Sequence, residues 1–163
     1  MDIEIRRPST TDGHHVNQLV TSIPQLDDNS TYCNLLQCSH FADTSAIAVT
    51  DEEVLGFISG YAKPDQPDTL FVWQVAVSSA ARGQGLASKL LKDILQRTRP
   101  TPFRYIETTI TADNEASWAL FRSIARTYDA PLNRSLMFDR AQHFNDEHDS
   151  ELLARIGPLH KTQ

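Results

Sequence analysis

Two glycines in the segment Arg82–Ser88 lie where a loop that binds phosphate groups would need them. The segment reads R-G-Q-G-L-A-S and follows the apolar run Phe71–Val77, and leucine and isoleucine recur at helical spacing directly after it. Glycine allows the backbone to approach a ligand closely. The unpaired N–H groups of a first helical turn, together with the helix dipole, then favour an anion. These residues indicate a pyrophosphate-binding loop, although a tight strand-to-helix turn is the simpler interpretation of the glycine pair alone.

Two other nucleotide-binding motifs do not fit this segment. A dinucleotide-binding fingerprint needs a third glycine or an alanine where Ser88 stands, and a Walker A loop needs G-K-[ST], which is not found here. R-x-x-G-x-A after an apolar strand instead resembles motif A of the GNAT superfamily of N-acetyltransferases. In that family the loop amides bind the coenzyme A pyrophosphate, and the backbone of the preceding strand pairs with the pantetheine arm. The resemblance implies acetyl-CoA as co-substrate, bound at Val75, Ala76, Val77, Arg82, Gly83, Gln84, Gly85, Leu86, Ala87 and Ser88.

A second segment, Ile110–Phe121, resembles another GNAT motif, V-x-x-x-N-x-x-[AS]-x-x-L-[YF]. The resemblance places Asn114 near the coenzyme arm, and Asn114 is also a suitable helix N-cap. Phe121 stands where many members have a tyrosine that protonates the departing thiolate, and it cannot do so. Because a thiol has a pKa of about 8.5, its thiolate can leave without a dedicated acid. Phe121 is retained as a coenzyme-binding candidate.

Acetylation of an aliphatic amine needs a base, because an ammonium with a pKa of about 10.4 must lose a proton before it attacks a thioester. Many GNAT chains have acidic residues just before the valine of the central strand, but Trp73 and Gln74 stand there. These two side chains can shape a substrate pocket and cannot act as a base. The candidate catalytic residues are therefore Glu107, Tyr32 and His148, with Glu151 and Asp27 as further candidates.

Composition favours a cytoplasmic globular protein with a single domain over residues 1–163. Of the 163 residues 40% are apolar and 22% charged, and the net charge is −6. No apolar run reaches the roughly 20 residues of a membrane span, and the N-terminus does not resemble a secretory signal. Apart from Arg6–Arg7 there is no basic cluster, so we expect no nucleic-acid partner. Cys33 and Cys38, and the stretch 143–149 with its histidines, follow no metal-binding spacing, so we expect no metal.

The patterns along the chain predict an α/β (α+β) fold. Strands are predicted at 3–7, 45–50, 54–61, 70–77, 103–110, 132–138 and 151–156, and helices at 12–21, 30–40, from the glycine loop to 98, and at 114–126. A turn is expected at Asp51–Glu53, a proline-containing loop at Ala62–Thr69, and a polar, histidine-rich loop before the last strand. Tyr32, Leu35 and Leu36 are expected on an apolar helix face. The order matches the GNAT arrangement, with a mixed central sheet of about six to seven strands and helices on both faces.

Longer segments resemble one family within the superfamily. Leu26–Phe41, Leu70–Val77, Glu107–Thr111 and His148–Leu153 are similar to the L-2,4-diaminobutyrate acetyltransferases of ectoine biosynthesis. The resemblance implies acetyl transfer from acetyl-CoA to the 4-amino group of L-2,4-diaminobutyrate, by direct aminolysis in a ternary complex. A diamine amino acid needs acidic and polar side chains around it. The substrate-binding candidates are Asp27, Tyr32, Trp73, Gln74 and Glu151.

Alternatives stay open at the level of the sequence. The chain could acetylate another small amine or a peptide, although the acidic final loop favours a small substrate. It could also be a non-catalytic acyl-CoA-binding module, because Phe121 and Trp73–Gln74 occupy positions that carry catalytic groups in many relatives. Each candidate residue also has a structural interpretation as a cap, core or surface residue. An exposed strand or helix edge could support a homodimer.

Overall fold

The computed structural model describes residues 2–51 and 53–160, so Glu52, in the turn predicted at Asp51–Glu53, lies outside the described residues. The strands are β1 (Glu4–Arg6), β2 (Ala46–Val49), β3 (Val54–Lys63), β4 (Gln66–Val77), β5 (Tyr105–Thr111), β6 (Leu132–Phe138) and β7 (Glu151–Ile156). The helices are α1 (Gly13–Thr21), α2 (Thr31–Ser39), α3 (Leu86–Gln96), α4 (Glu115–Thr127) and α5 (Arg140–Phe144). Short 3₁₀ helices lie at Thr10–Asp12, Ala42–Thr44 and Ser79–Ala81.

The strands form one mixed sheet in the order β1-β2-β3-β4-β5-β7-β6. β2 pairs antiparallel with both β1 and β3, and β7 pairs antiparallel with both β5 and β6. β4 and β5 are parallel, in the register that runs from Thr69↔Tyr105 to Phe71↔Glu107. The prediction of an α/β fold with a mixed, seven-stranded sheet is confirmed.

The chain divides into two compact units. The first comprises Met1–Tyr61 with Val72–Pro100, and the second Ala62–Phe71 with Thr101–Gln163. The prediction of a single domain over residues 1–163 stays a prediction.

The core of the first unit forms around the apolar face of α1. Val16, Leu19 and Val20 are buried there together with Phe57 of β3 and Ala76 of β4. These side chains fix the end of β4, because Ala76 is only 1% exposed. Since successive residues of a strand alternate between faces, Val75 and Val77 point to the other face.

Helix α3 packs closely on β3 because β3 has a glycine at the contact. A Cβ atom on Gly56 would lie 3.0 Å from Leu86 Cδ2 and 3.1 Å from Leu90 Cδ1. Leu86, at the start of α3, is 5% exposed. The contact therefore fixes where α3 begins, and with it the end of the glycine loop.

The apolar face predicted for α2 is wrong. Tyr32 and Leu35 are 60% and 38% exposed, whereas Asn34 and Gln37 are fully buried. Asn34 Nδ2 donates a hydrogen bond of 2.8 Å to Gln37 Oε1. Because buried amides that bind each other recover part of their lost hydration, α2 can pack a polar face inward. An apolar periodicity cannot reveal such a face.

Two predicted loops contain regular structure. β3 continues to Lys63 and β4 begins at Gln66, so the loop predicted at Ala62–Thr69 is wrong and the connection is a two-residue turn. The histidine-rich loop before β7 contains α5, whose N-cap Asp139 accepts hydrogen bonds from two backbone N–H groups of the first turn. A helix of five residues is too short to show an apolar period.

Asp12 is the N-cap residue of α1, but its carboxylate does not cap that helix. It accepts hydrogen bonds of 2.8 and 3.1 Å from the Arg6 guanidinium and one of 2.8 Å from the Ser9 N–H. Burial alone would raise the pKa of Asp12, but these hydrogen bonds outweigh it and hold the pKa below its usual value of 3.8.

We expect Asp12→Asn to lower the free energy of unfolding by about 1–3 kcal/mol at pH 7, because it removes a partly buried ion pair. A depressed carboxyl pKa stabilises the protein above the unfolded-state pKa, and the contribution is lost as the pH falls through the folded-state pKa. The difference from wild type should therefore narrow below about pH 4. Urea unfolding at pH 7 and pH 3 measures both values, with the exposed turn residue variant Asp65→Asn as control. An equal difference at both pH values would contradict the assigned ion pair.

Candidate active site

The glycine loop has the backbone geometry of an anion-binding loop. Gly83 and Gly85 have φ angles of +79° and +69°, and Gly85 is the N-cap of α3 in the left-handed conformation. A Cβ atom at either glycine would meet no atom within 4 Å. Gly85 has no side chain to cap α3, so the N–H groups of the first turn stay open to a ligand. The glycines are therefore needed for their φ angles, and they leave open space beside those N–H groups.

In the predicted coenzyme site, the backbone of the strand that leads into the glycine loop also binds the coenzyme. Val75 and Val77 are half-buried, while Ala76 is buried in the core of the first unit. The three residues lie beyond the Thr69–Phe71 register that β4 shares with β5. Ser78 N–H donates to the Leu55 carbonyl at 2.8 Å, which fixes the point where the chain leaves the strand.

In the second unit, α4 carries the other two coenzyme candidates. Asn114 is the N-cap of α4, and its side chain accepts a hydrogen bond of 3.2 Å from the Ser117 N–H. Phe121 is 2% exposed and lies on the same buried face of α4 as Trp118. The N-cap role that the sequence suggested for Asn114 is confirmed. Their roles in coenzyme binding stay predictions.

The first unit carries aromatic and polar candidates, with Trp73 in the middle of β4. Trp73 is 42% exposed, and its ring lies 6.0 Å from the rings of both Phe41 and Tyr61, measured between centroids. An exposed indole face can bind a cation. Asp27, which precedes α2, and Tyr32, in the first turn of α2, are both exposed. The first unit thus exposes a carboxylate, a phenol and an indole, and each of these groups can bind an ammonium ion.

One residue of this surface was missed from the sequence. Asn29 Nδ2 donates a hydrogen bond of 3.1 Å to Gln74 Oε1. This bond joins the segment that carries Asp27 to the strand that carries Trp73 and Gln74. The two positions are 45 residues apart in the chain, and an asparagine just before a helix is usually read as part of a cap or turn.

Glu107 is placed differently from what a catalytic base would require. It is 3% exposed, accepts a hydrogen bond of 2.8 Å from Lys63 Nζ, and forms a second ion pair with Arg155. The Arg155 guanidinium also stacks over the Tyr105 ring at 4.0 Å. Because both carboxylate oxygens are held by cations, the geometry favours a structural role for Glu107. Its catalytic role stays a prediction without geometric support.

His148 lies in an open cleft of about 440 Å³ in the second unit. The cleft is lined by Thr111, Asp113, Arg140, Glu147, His148 and Asp149. His148 Nδ1 is 2.6 Å from the Asp149 carbonyl oxygen, and its ring lies 4.6 Å from that of Phe144. A carbonyl oxygen can only accept, so Nδ1 carries a proton. In neutral His148 the lone pair is then on Nε2, which is the arrangement of a general base.

Glu151 lies at the same end of the sheet as this cleft. It begins β7 and pairs with Thr111 of β5, which itself lines the cleft. Glu107 is four positions earlier on β5, about 13 Å away along the strand. In the second unit the fold thus brings His148 and Glu151 to one end of β5 and β7, and keeps Glu107 away from it.

A family model described as the acetyltransferase (GNAT) family matches residues 14–125, and the chain belongs to this family. It is 48% identical to the L-2,4-diaminobutyric acid acetyltransferase of Methylotuvimicrobium alcaliphilum, over 99% of this chain and 94% of that protein. The corresponding enzyme of Chromohalobacter salexigens is 49% identical, over 98% and 83%. A solved structure of the diaminobutyrate acetyltransferase of Paenibacillus lautus, in complex with L-2,4-diaminobutyric acid and coenzyme A, is similar with a TM-score of 0.91. It is 36% identical, and the match covers 99% of this chain and 98% of that one.

Two further features concern the kinds of ligand that the chain can bind. Among residues 2–51 and 53–160, no three histidine, cysteine or carboxylate side chains are placed to hold a metal ion. Within the same residues, no helix is long and apolar enough to cross a membrane. The coenzyme is acetyl-CoA, as in the rest of the family.

We expect Gly85→Asn to weaken acetyl-CoA binding by at least about tenfold, because asparagine tolerates the left-handed conformation while its side chain fills the open space beside the loop amides. Gly85→Val should also lose thermal stability, since a β-branched residue is strained at positive φ. Titration calorimetry and thermal melting measure the two effects separately. Gln96→Asn, at the exposed far end of α3, is the matched control. Unchanged coenzyme affinity in Gly85→Asn would remove this loop from the coenzyme site.

Proposed function

We propose that this protein is an L-2,4-diaminobutyrate acetyltransferase that moves the acetyl group of acetyl-CoA to the 4-amino group and acts in ectoine biosynthesis. The observation that carries the proposal is the similarity, over 99% of the chain, to a solved relative that holds both L-2,4-diaminobutyric acid and coenzyme A. We propose that residues 1–163 act as one GNAT domain.

The glycine loop supports the coenzyme half of this reaction. Its open N–H groups at the start of α3 suit a pyrophosphate. The backbone of Val75–Val77, beyond the Thr69–Phe71 register, suits the pantetheine arm. A backbone N–H near Val75 would stabilise the oxyanion that forms when an amine attacks the thioester.

Each unit, taken by itself, has side chains that suit an amine. On the first unit, Asp27 and the exposed Trp73 offer a carboxylate and an indole face, both of which bind ammonium groups. On the second unit, Asp113, Glu147 and Asp149 line the cleft, where Arg140 pairs with Asp149 at 2.9 Å. The remaining negative charge favours a cationic substrate.

We assign His148 as the base and Glu151 as a substrate-binding residue. The base takes a proton from the 4-ammonium group, and the neutral nitrogen then attacks the thioester carbon. A C–N bond forms and the C–S bond breaks. The nitrogen gives up its second proton to the departing coenzyme A thiolate, which leaves as the thiol, and the base returns the first proton to solvent. With a thiol pKa of about 8.5, the thiolate needs no acid at the position of Phe121. Direct transfer in a ternary complex follows, since no covalent acetyl-enzyme is required.

We further propose that the protein is cytoplasmic and forms a homodimer. Cys33 and Cys38 are free thiols, and burial raises the pKa of Cys38 to about 12, as suits a reduced, unreactive residue. β6 is the last strand of the sheet and exposes Leu136, Met137 and Phe138. An edge strand with exposed apolar side chains is a surface that a second copy of the chain would cover.

The test of the function is thiol release from acetyl-CoA with L-2,4-diaminobutyrate, ornithine, lysine, spermidine and a short peptide. We expect kcat/KM for diaminobutyrate to exceed that for each other amine by at least about tenfold, because the wrong amine leaves buried polar groups unpaired. Product NMR should show acetylation at the 4-amino nitrogen.

Other outcomes of that assay would identify the alternatives. A preference for spermidine or the peptide would make the chain an acetyltransferase of a different amine. Coenzyme binding without thiol release from any amine would make it an acyl-CoA-binding module. Either result would overturn the proposed substrate while leaving the family unchanged.

For the homodimer, we expect light scattering to give twice the mass of the 18.3 kDa chain. Leu136→Lys should shift the mass to that of one chain, because a desolvated lysine would oppose pairing at the β6 edge. Gln142→Lys adds the same charge at an exposed position of α5 and should remain dimeric. A monomeric wild-type protein at micromolar concentration would refute the homodimer.

A further inference from the structure

The side chain of Gln74 is held in one orientation by a single neighbour. Asn29 Nδ2 donates to Gln74 Oε1 at 3.1 Å, so the oxygen end of the Gln74 amide is occupied. Gln74 is half-buried and follows the exposed Trp73 on β4. In the part of the chain that the structure describes, its Nε2 group has no hydrogen-bond acceptor. The end of the Gln74 amide that Asn29 leaves unoccupied is therefore a donor and not an acceptor.

The backbone of Asn29 is held by the side-chain amide of a residue in α1. Asn17 Nδ2 donates to the Asn29 carbonyl oxygen at 2.8 Å and to Asn34 Oδ1 at 3.0 Å. Asn34 is fully buried and donates onward to Gln37. Asn34 accepts at its side-chain oxygen and donates at its nitrogen, Asn29 accepts through its backbone carbonyl, and Gln37 Nε2 is buried without a hydrogen-bond partner among the described residues. The backbone of Asn29 is thus held by Asn17, which also binds the buried polar face of α2.

We propose that Asn29 is a positioning residue that keeps the N–H groups of Gln74 directed to the amine-binding surface, where they bind the carboxylate of the amino acid substrate. The proposal rests on the proposed function, because it names how that same site distinguishes an amino acid from a simple diamine. Carboxylates accept hydrogen bonds and cannot donate them. The neighbouring Asp27 suits the ammonium groups and repels the carboxylate. The two N–H groups of Gln74 supply the donor that the carboxylate needs.

The chemistry of the Asn29–Gln74 bond provides a test that depends on the direction of the amide. Asn29→Asp keeps the size of the side chain but can only accept, so Gln74 must turn its N–H groups towards it. Its oxygen would then face the substrate carboxylate. Gln74→Glu keeps the acceptor for Asn29 and loses both N–H donors. Each variant should weaken recognition of the carboxylate and leave the coenzyme loop intact.

The experiment compares L-2,4-diaminobutyrate with 1,3-diaminopropane, which is the same diamine without the carboxylate. We expect the ratio of kcat/KM for the two substrates to fall by at least about tenfold in both variants, with the change in KM rather than in kcat. The KM for acetyl-CoA should stay at the wild-type value. Asp28→Asn is the control, since it changes the charge of the adjacent exposed residue by one unit, in the opposite direction, and should leave the ratio unchanged.

A double-mutant cycle separates positioning from charge. In a Gln74→Leu background there is no amide to orient, so adding Asn29→Asp should change the ratio by less than about twofold. An effect as large as in the wild-type background would show that the new charge acts directly, and would overturn the positioning role.

The remaining outcomes are equally decisive. Equal losses for both substrates would show a structural role of Asn29. A higher ratio of kcat/KM for diaminobutyrate over 1,3-diaminopropane in Gln74→Glu would show that Gln74 binds an ammonium group. Either result overturns the inference. If the wild-type protein does not acetylate diaminobutyrate at all, the proposed function fails first and this inference fails with it. If the wild type does and the ratios stay constant, only the inference fails.

Discussion

The left-handed conformation of Gly85 is the constraint on which the open N-terminus of α3 depends. A residue with a side chain would be strained there and would also fill the space beside the first turn of α3. Leu86 packs against β3 at Gly56 and thereby fixes where the first turn of α3 begins. Two glycines that are far apart in the chain therefore act together: one lets the helix approach the sheet, and the other leaves its N-terminus open.

Carboxylates occur in two kinds of surroundings, buried beside cations or exposed. Glu107 and Asp12 are buried and held by cations, Lys63 and Arg155 for the first and Arg6 for the second. A buried carboxylate without such partners would be costly. Asp27 and the cleft carboxylates Asp113 and Glu147 are exposed and remain available to a substrate. A glutamate in a largely apolar strand needs a partner, and Glu107 has two cations as partners.

The part of the site that the sequence could predict consists of residues whose role depends on their immediate neighbours. The glycine loop, the N-cap role of Asn114 and the strand before the loop are local features, and they lie where the patterns indicated. Asn17, Asn29 and Asn34 could not be recognised in this way. Asparagine is common in caps and turns, and the bond from Asn29 to Gln74 joins positions 45 residues apart. Only the packing of α2 with its polar face inward reveals that these amides form one row.

The sequence by itself determined the order of the elements, the mixed sheet and the loop that identifies the family, because apolar periods and glycine positions act over short distances. Tertiary structure alone decided which polar side chains form ion pairs or hydrogen bonds within the protein and which do not. It pairs Glu107 with two cations, directs the Nε2 lone pair of neutral His148 away from the Asp149 carbonyl, and turns the amide of Gln74. Each of these outcomes depends on a partner brought close by the fold. Residue type determines whether a side chain can donate or accept a hydrogen bond, and only the three-dimensional contacts determine which partner it binds.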